Sequence, residues 1–195
     1  VSRYFDRITR PEQILQTFPH AIQTMLDPAD CGPACISLSQ DVQGETFEYP
    51  EEFFKERIHV IRRPRPDDYQ IKQASELIKK SKNPIIISGG GVFYSDAMKE
   101  VSQFAKKHNI PTAQTVMGYS SMKKDDPYFL GAIGGFGGKA PNDFMKKTDL
   151  AIAIGTKLAD FTTGSWSNFE NPNFKLVSIN VSRFDSNKHM AQSII

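Results

Sequence analysis

The stretch PIIIS at 84–88 is apolar at successive positions, not at alternating ones. A strand with one wet face alternates, so an unbroken run of this length fits a strand covered on both sides, as in the interior of a parallel sheet. DLAIAIG at 149–155 and KLVSINV at 175–181 have the same character, IPTAQTV at 110–116 supplies another strand, and YFLGAIG at 128–134 a shorter one. Between them the spacing is helical: Ile71, Ala74 and Ile78 in DDYQIKQASELIKKS, then Ala97, Val101, Phe104 and Ala105 in 95–108, then a short helix in APNDFMKKT. Strands alternating with helices predict an α/β fold. Residues 67–195 are expected to form an open parallel, Rossmann-like sheet with helices on both faces and with 84–88, 110–116, 149–155 and 175–181 as interior strands.

The first third of the chain has a different grammar. TRPEQILQ at 9–16 offers Thr9 and Glu12 as a capping box with proline in the first turn. Pro19 is expected to stop this helix, and TFPHAIQTML restarts it through Ile22, Met25 and Leu26. ACISLS follows as a strand with Ala34, Ile36 and Leu38 on one side. Residues 1–45 therefore form a partial α/β segment, and 46–66 a linker with a helical patch at Phe53 and Phe54 and a solvated basic run, RRPRP. Cys31 and Cys35 are spaced C-x-x-x-C rather than C-x-x-C, so buried, reduced thiols of a cytoplasmic protein are expected instead of a redox pair. A formal charge of +2 argues against nucleic acid as the main partner. No run approaches the roughly 18 apolar residues of a membrane span.

Ligands of such sheets lie beyond the carboxyl ends of the strands, where the strand order reverses. The residues placed there are Gly89, Gly90 and Gly91 after one strand, Gly118 after the next, Gly155, Lys157 and Asp160 after a third, and Asn180 after the last. Two readings of the glycines stand: a cradle for a dinucleotide, or tight turns that hold nothing. The triple glycine departs from G-x-G-x-x-G at Tyr94, and GAIGGFGG at 131–138 lacks the lysine and Ser/Thr of a phosphate-binding loop. At least one of Gly89–Gly91 is expected at positive φ, turning the strand sharply into a helix near Ser95. His20, His59, His108 and His189 fall in different elements, so neither a catalytic constellation nor a metal set is assigned. Phe161, Trp166 and Phe169, in the long loop before 175, are expected to cover core or meet another domain.

The order of these pieces resembles the thiamine-diphosphate-dependent enzyme superfamily. The likeness runs through SLSQDVQGE, NPIIISGGGV, IPTAQTVMG, GAIGG, DLAIAIGTKLAD and KLVSINV, and so covers the whole chain. It implies that 1–45 are the tail of a pyrimidine-binding domain and 67–195 the central domain, cut short at its C-terminal end. RYFDRITRPEQ at 3–13 and YPEEFF at 49–54 resemble, more particularly, the branch that hydrolyses a ring C–C bond of a trihydroxylated cyclic dione in myo-inositol catabolism. The alternatives are the acetolactate-synthase-like branch, whose central domain holds FAD, or a free-standing nucleotide-binding module. Where flavin-binding relatives carry arginine and acids, this chain has Lys157, Asn180 and Ser182, retaining only Asp160. FAD is accordingly not expected. The resemblance places the thiamine diphosphate and Mg²⁺ sites in other domains of a longer, homo-oligomeric, cytoplasmic enzyme, with those domains as this chain's partners and the 195 residues alone inactive.

Overall fold

Tyr4–Ile8 forms a strand, β1, in the computed structural model, which describes residues 1–195. Its inward positions are Tyr4, Asp6 and Ile8, and the acidic residue among them hides the alternation from a hydrophobic pattern. Asp6 is accommodated because its carboxylate accepts from Thr17 Oγ1 at 2.6 Å. A helix, α1 (Ile14–Met25), joins β1 to β2 (Ala34–Leu38), which pairs parallel with β1 from Tyr4↔Ala34 to Ile8↔Leu38.

Three expectations for this region are corrected. Gln13, not Glu12, closes the cap: its Oε1 accepts from Thr9 N at 2.6 Å and Arg10 N at 2.8 Å. The helix runs through Pro19 instead of stopping there. Proline forfeits one hydrogen bond to the carbonyl four residues back, while Thr17 and Ala21 on either side are buried where α1 lies on the two strands. Cys31 and Cys35 are exposed: Cys31 lies in the loop before β2, and Cys35, paired in register with Phe5, points from the face of this two-stranded sheet that α1 does not cover. Tyr49 and Phe53, in the stretch read as linker, reach back to Pro11 O and the Phe18 ring. Contacts divide the chain into two units, Val1–Arg63 and Pro64–Ile195.

The second unit opens with α2 (Asp68–Lys80), whose first turn is capped by Asp67 accepting from Gln70 N at 2.8 Å. Then come β3 (Pro84–Ser88), α3 (Gly90–Tyr94), α4 (Met98–His108), β4 (Thr112–Gln114), β5 (Phe129–Ala132), α5 (Lys139–Lys147) and β6 (Leu150–Ile154). The unit closes with α6 (Asp160–Thr163), β7 (Lys175–Ile179), α7 (Arg183–Ser186) and β8 (Gln192–Ile194). The six strands lie in the order β5-β4-β3-β6-β7-β8, all parallel, with the four foreseen strands interior.

The unbroken apolar runs have their cause in the two cores. Ile86, Leu150, Ile152 and Val177 face Ala74, Val101 and Ala105 of α2 and α4, whereas Ile85, Ile87, Ala151, Ala153 and Leu176 face Met145 of α5. Two residues expected inward are not: Ile71 is exposed, and Phe104 lies at the surface against the His108 ring. β8 is an edge strand of three residues, too short to announce itself by pattern.

Candidate functional site

Along the sheet the strand order reverses between β3 and β6, and the turns leaving β3, β4, β6 and β7 converge at that point. The glycines decide how closely. A Cβ on Gly89 would stand 2.4 Å from Gly155 O and 2.5 Å from Thr156 Cβ. One on Gly91 would stand 2.6 Å from Gly155 Cα, and one on Gly118 2.5 Å from Ser88 O. Each distance is shorter than any side chain tolerates, so these turns interlock only because they lack side chains.

The expectation of positive φ at Gly89–Gly91 fails. Gly89 is extended, with φ −108° and ψ −176°, and none of the three is left-handed. The strand passes directly into α3 at Gly90, instead of turning sharply at the glycines into a helix that begins near Ser95, so no special dihedral is required. Positive φ occurs instead at Gly155, at +59°.

Backbone donors at this point are turned onto the chain itself. Gly89 N donates to Ile154 O and Gly91 N to Gly155 O, both at 2.9 Å, and Gly155 N donates to Ile179 O at 2.8 Å. Gly118 N donates within its own turn, to Thr115 O and Oγ1 at 3.0 Å. Asn180 is similarly engaged: Nδ2 donates to Thr156 O and Oδ1 accepts from Ser182 N, each at 3.0 Å. Ser182 Oγ accepts from Asp185 N and caps α7. The structure therefore brings together Gly89, Gly90, Gly91, Gly118, Gly155 and Asn180, while Lys157 and Asp160 stand exposed beyond β6.

Gln114 is a polar residue of this region that the strand pattern passes over. It lies 6% exposed at the end of β4, and its Oε1 has no hydrogen-bond partner. Its register neighbour Ser88 donates from Oγ to Ser121 Oγ at 2.8 Å, so the interior carries a small polar cluster beneath the turns. An amide side chain in an interior strand, TAQ, is the signal that could have flagged it.

The remaining candidates do not assemble a reaction centre. His20, His108 and His189 lie against the rings of Tyr4, Phe104 and Trp166 rather than near one another. No group of three or more His, Cys, Asp and Glu side chains comes together to hold a metal ion. Trp166 and Phe169 pack on the core beside Met145, as expected, but Phe161 is exposed and stacks on Phe136 at 5.7 Å. Asp149, at the opposite end of β6, serves the fold. Partial burial works against its charge, but Ser81 Oγ, Lys82 N and Asn83 N all donate to the carboxylate and together hold its pKa below the usual carboxylate value.

Comparison with known proteins accounts for this arrangement. Residues 71–195 match the family model for the thiamine pyrophosphate enzyme, central domain. A 3D-(3,5/4)-trihydroxycyclohexane-1,2-dione hydrolase of Clostridium botulinum (strain Alaska E43 / Type E3) is 48% identical over 188 residues, which is 96% of this chain and 29% of that protein. The protein of the same name from Clostridium perfringens (strain 13 / Type A) is 45% identical over 195 residues, all of this chain and 30% of the other. The chain thus spans about a third of the length of these relatives. Among solved structures, a Mycobacterium smegmatis enzyme assigned as thiamin diphosphate-dependent shares the fold, with a TM-score of 0.73 at 18% identity over 97% of this chain and 36% of its own.

Proposed function

Because this chain belongs to the thiamine pyrophosphate enzyme central-domain family, we propose that it is the middle portion of a thiamine-diphosphate-dependent hydrolase acting on 3D-(3,5/4)-trihydroxycyclohexane-1,2-dione. One observation carries the reading. Identity of 43–48% to hydrolases of that name runs through the first unit as well as the central domain, over 96–100% of the chain.

The residues present do not fit thiamine diphosphate and its divalent cation. Holding a diphosphate through Mg²⁺ takes several oxygen ligands around one point, and no such cluster forms here. No chemical step is therefore assigned to these side chains. The cofactor and Mg²⁺ belong, on this reading, to domains outside the 195 residues, which are also this chain's partners in a cytoplasmic enzyme of myo-inositol catabolism. Nor is flavin part of the proposal. The amides of Gly89, Gly91 and Gly155 are already bonded, and Asn180 is spent on Thr156 and Ser182, leaving no carboxylate there for a ribose.

The test uses the full-length protein with thiamine diphosphate and Mg²⁺. Mass spectrometry should show the cyclic dione converted to an open-chain acid, one water heavier. Absence of that product alongside efficient condensation of 2-oxo acids would transfer the chain to the acetolactate-synthase-like branch. In parallel, calorimetric titration of the 195-residue chain with thiamine diphosphate and Mg²⁺ should show no binding, and micromolar affinity would place the cofactor site within it.

A further inference from the structure

Anchorage of the first unit thins out after Phe54. Tyr49 and Phe53 still hold this part of the chain to Pro11 O and the Phe18 ring, and Lys55 N donates to Glu52 O at 3.4 Å. From Glu56 to Pro66 no helix, strand or turn forms, until Asp67 caps α2. Ile58, Val60 and Ile61 are 88%, 80% and 57% exposed. Branched apolar side chains stand this far into water only where no surface lies beneath them, since burial would otherwise favour them. The division between the two units falls in the same stretch, at Arg63 and Pro64.

We propose that residues 57–62 are a cleavage site for an arginine-specific serine endoprotease. Such an enzyme takes its substrate as an extended strand, bonded through its backbone, and its specificity pocket, floored by a carboxylate, admits one basic side chain. A segment inside a helix or sheet must open before it can be offered in this way. Residues 57–62 need no opening. Arg57 and Arg62 are exposed, and neither takes part in an ion pair.

The sequence narrows the choice of bond. Arg63 and Arg65 are each followed by proline, whose ring crowds the scissile bond and whose nitrogen carries no hydrogen. Lys55 is paired with Glu52 at 2.6 Å and is followed by an acid. That leaves Arg57–Ile58 and Arg62–Arg63. At the first, one water adds across the amide, leaving a carboxylate on Arg57 and an ammonium on Ile58. Both cores of the second unit lie wholly between Ala74 and Ile194, so the cut takes nothing from them. Cleavage here severs the chain without unfolding the second unit.

Sparing digestion of the 195-residue chain with trypsin tests this, independently of the reaction its parent carries out. Mass spectrometry should identify 1–57 with 58–195, or 1–62 with 63–195, as the first products. They should form at least about 10-fold faster than products of any cut at Lys123, Lys124 or Lys157, which are also exposed. The larger product should resist further digestion and keep its circular dichroism. Arg57→Gln/Arg62→Gln should slow the first cut at least about 10-fold with the melting temperature unchanged. A first cut outside 57–63 would overturn the proposal, as would a double variant digested as fast as the unaltered chain or a larger product degraded as soon as it forms.

Discussion

At Gly155 two constraints coincide. Its φ of +59° lies in the left-handed region, and a Cβ there would stand 2.6 Å from Gly91 Cα. Left-handed backbone costs an L-residue about 1–2 kcal/mol, and forcing a methyl group into packed surroundings costs about 1–3 kcal/mol more. Gly155→Ala should therefore lower the unfolding free energy by about 2–5 kcal/mol in urea titration. Gly138→Ala is the control within the same unit. Its φ is −74° and its Cβ would meet nothing closer than Pro141 Cδ at 3.5 Å, and the poorer N-cap that alanine makes for α5 is partly offset by a less flexible unfolded chain, so its loss should stay within about 1 kcal/mol. Equal losses at the two positions would mean that close approach is not what the converging turns require. The same contrast explains what local sequence conceals. That glycines gather at strand ends is legible from their positions after apolar runs. Why they must be glycine depends on Thr156 facing Gly89 and Ser88 O facing Gly118, and those neighbours are set by which strands lie side by side.

Elements show the same division between local and distant causes. β3 and β6 are plain in the sequence because both faces are buried, and burial on both faces writes an unbroken apolar run. β1 is obscured by Asp6, whose burial is made tolerable by Thr17 on another element. Pro19 misleads for a related reason, since tertiary packing of α1 outweighs one absent hydrogen bond. Between elements, the Asp149 carboxylate fastens the turn from α2 to β3 onto the start of β6. Its pKa is lowered on folding, so it contributes stability above the ordinary carboxylate value near 3.8 and loses that contribution as pH falls through its folded value. Asp149→Asn should destabilise the chain by about 1 kcal/mol at pH 7. Melting curves of the two proteins should converge as pH falls below 3.8 and through the lowered folded-state value, where the wild-type carboxyl becomes protonated too. A gap that persists undiminished in acid would show that charge has no part in this fastening.

For the molecule as a whole, pairing across the middle of the sheet joins parts of the chain made at different times. Pro84 to Ser88 pair with Leu150 to Ile154, whereas Ile86 to Ser88 also pair with the nearer Thr112 to Gln114. Long-range parallel pairing of this kind is slow because the intervening loop must close first. A chain ending at Asp149 keeps β3, β4 and β5 but leaves Ile85, Ile86 and Ile87 on an uncovered flank. It should lack the cooperative thermal transition expected of the second unit in residues 1–195, and retention of that transition would show that the first three strands suffice. On the ribosome the same geometry imposes a waiting period. At about 5–20 residues per second, several seconds separate emergence of Ser88 from that of Ile154, and for that interval a triple-isoleucine strand is an open edge that any other nascent β-strand can join. The yield of folded protein is consequently governed by how well that edge is shielded during synthesis, a quantity set by chaperone supply and translation speed and not by the stability of the finished sheet.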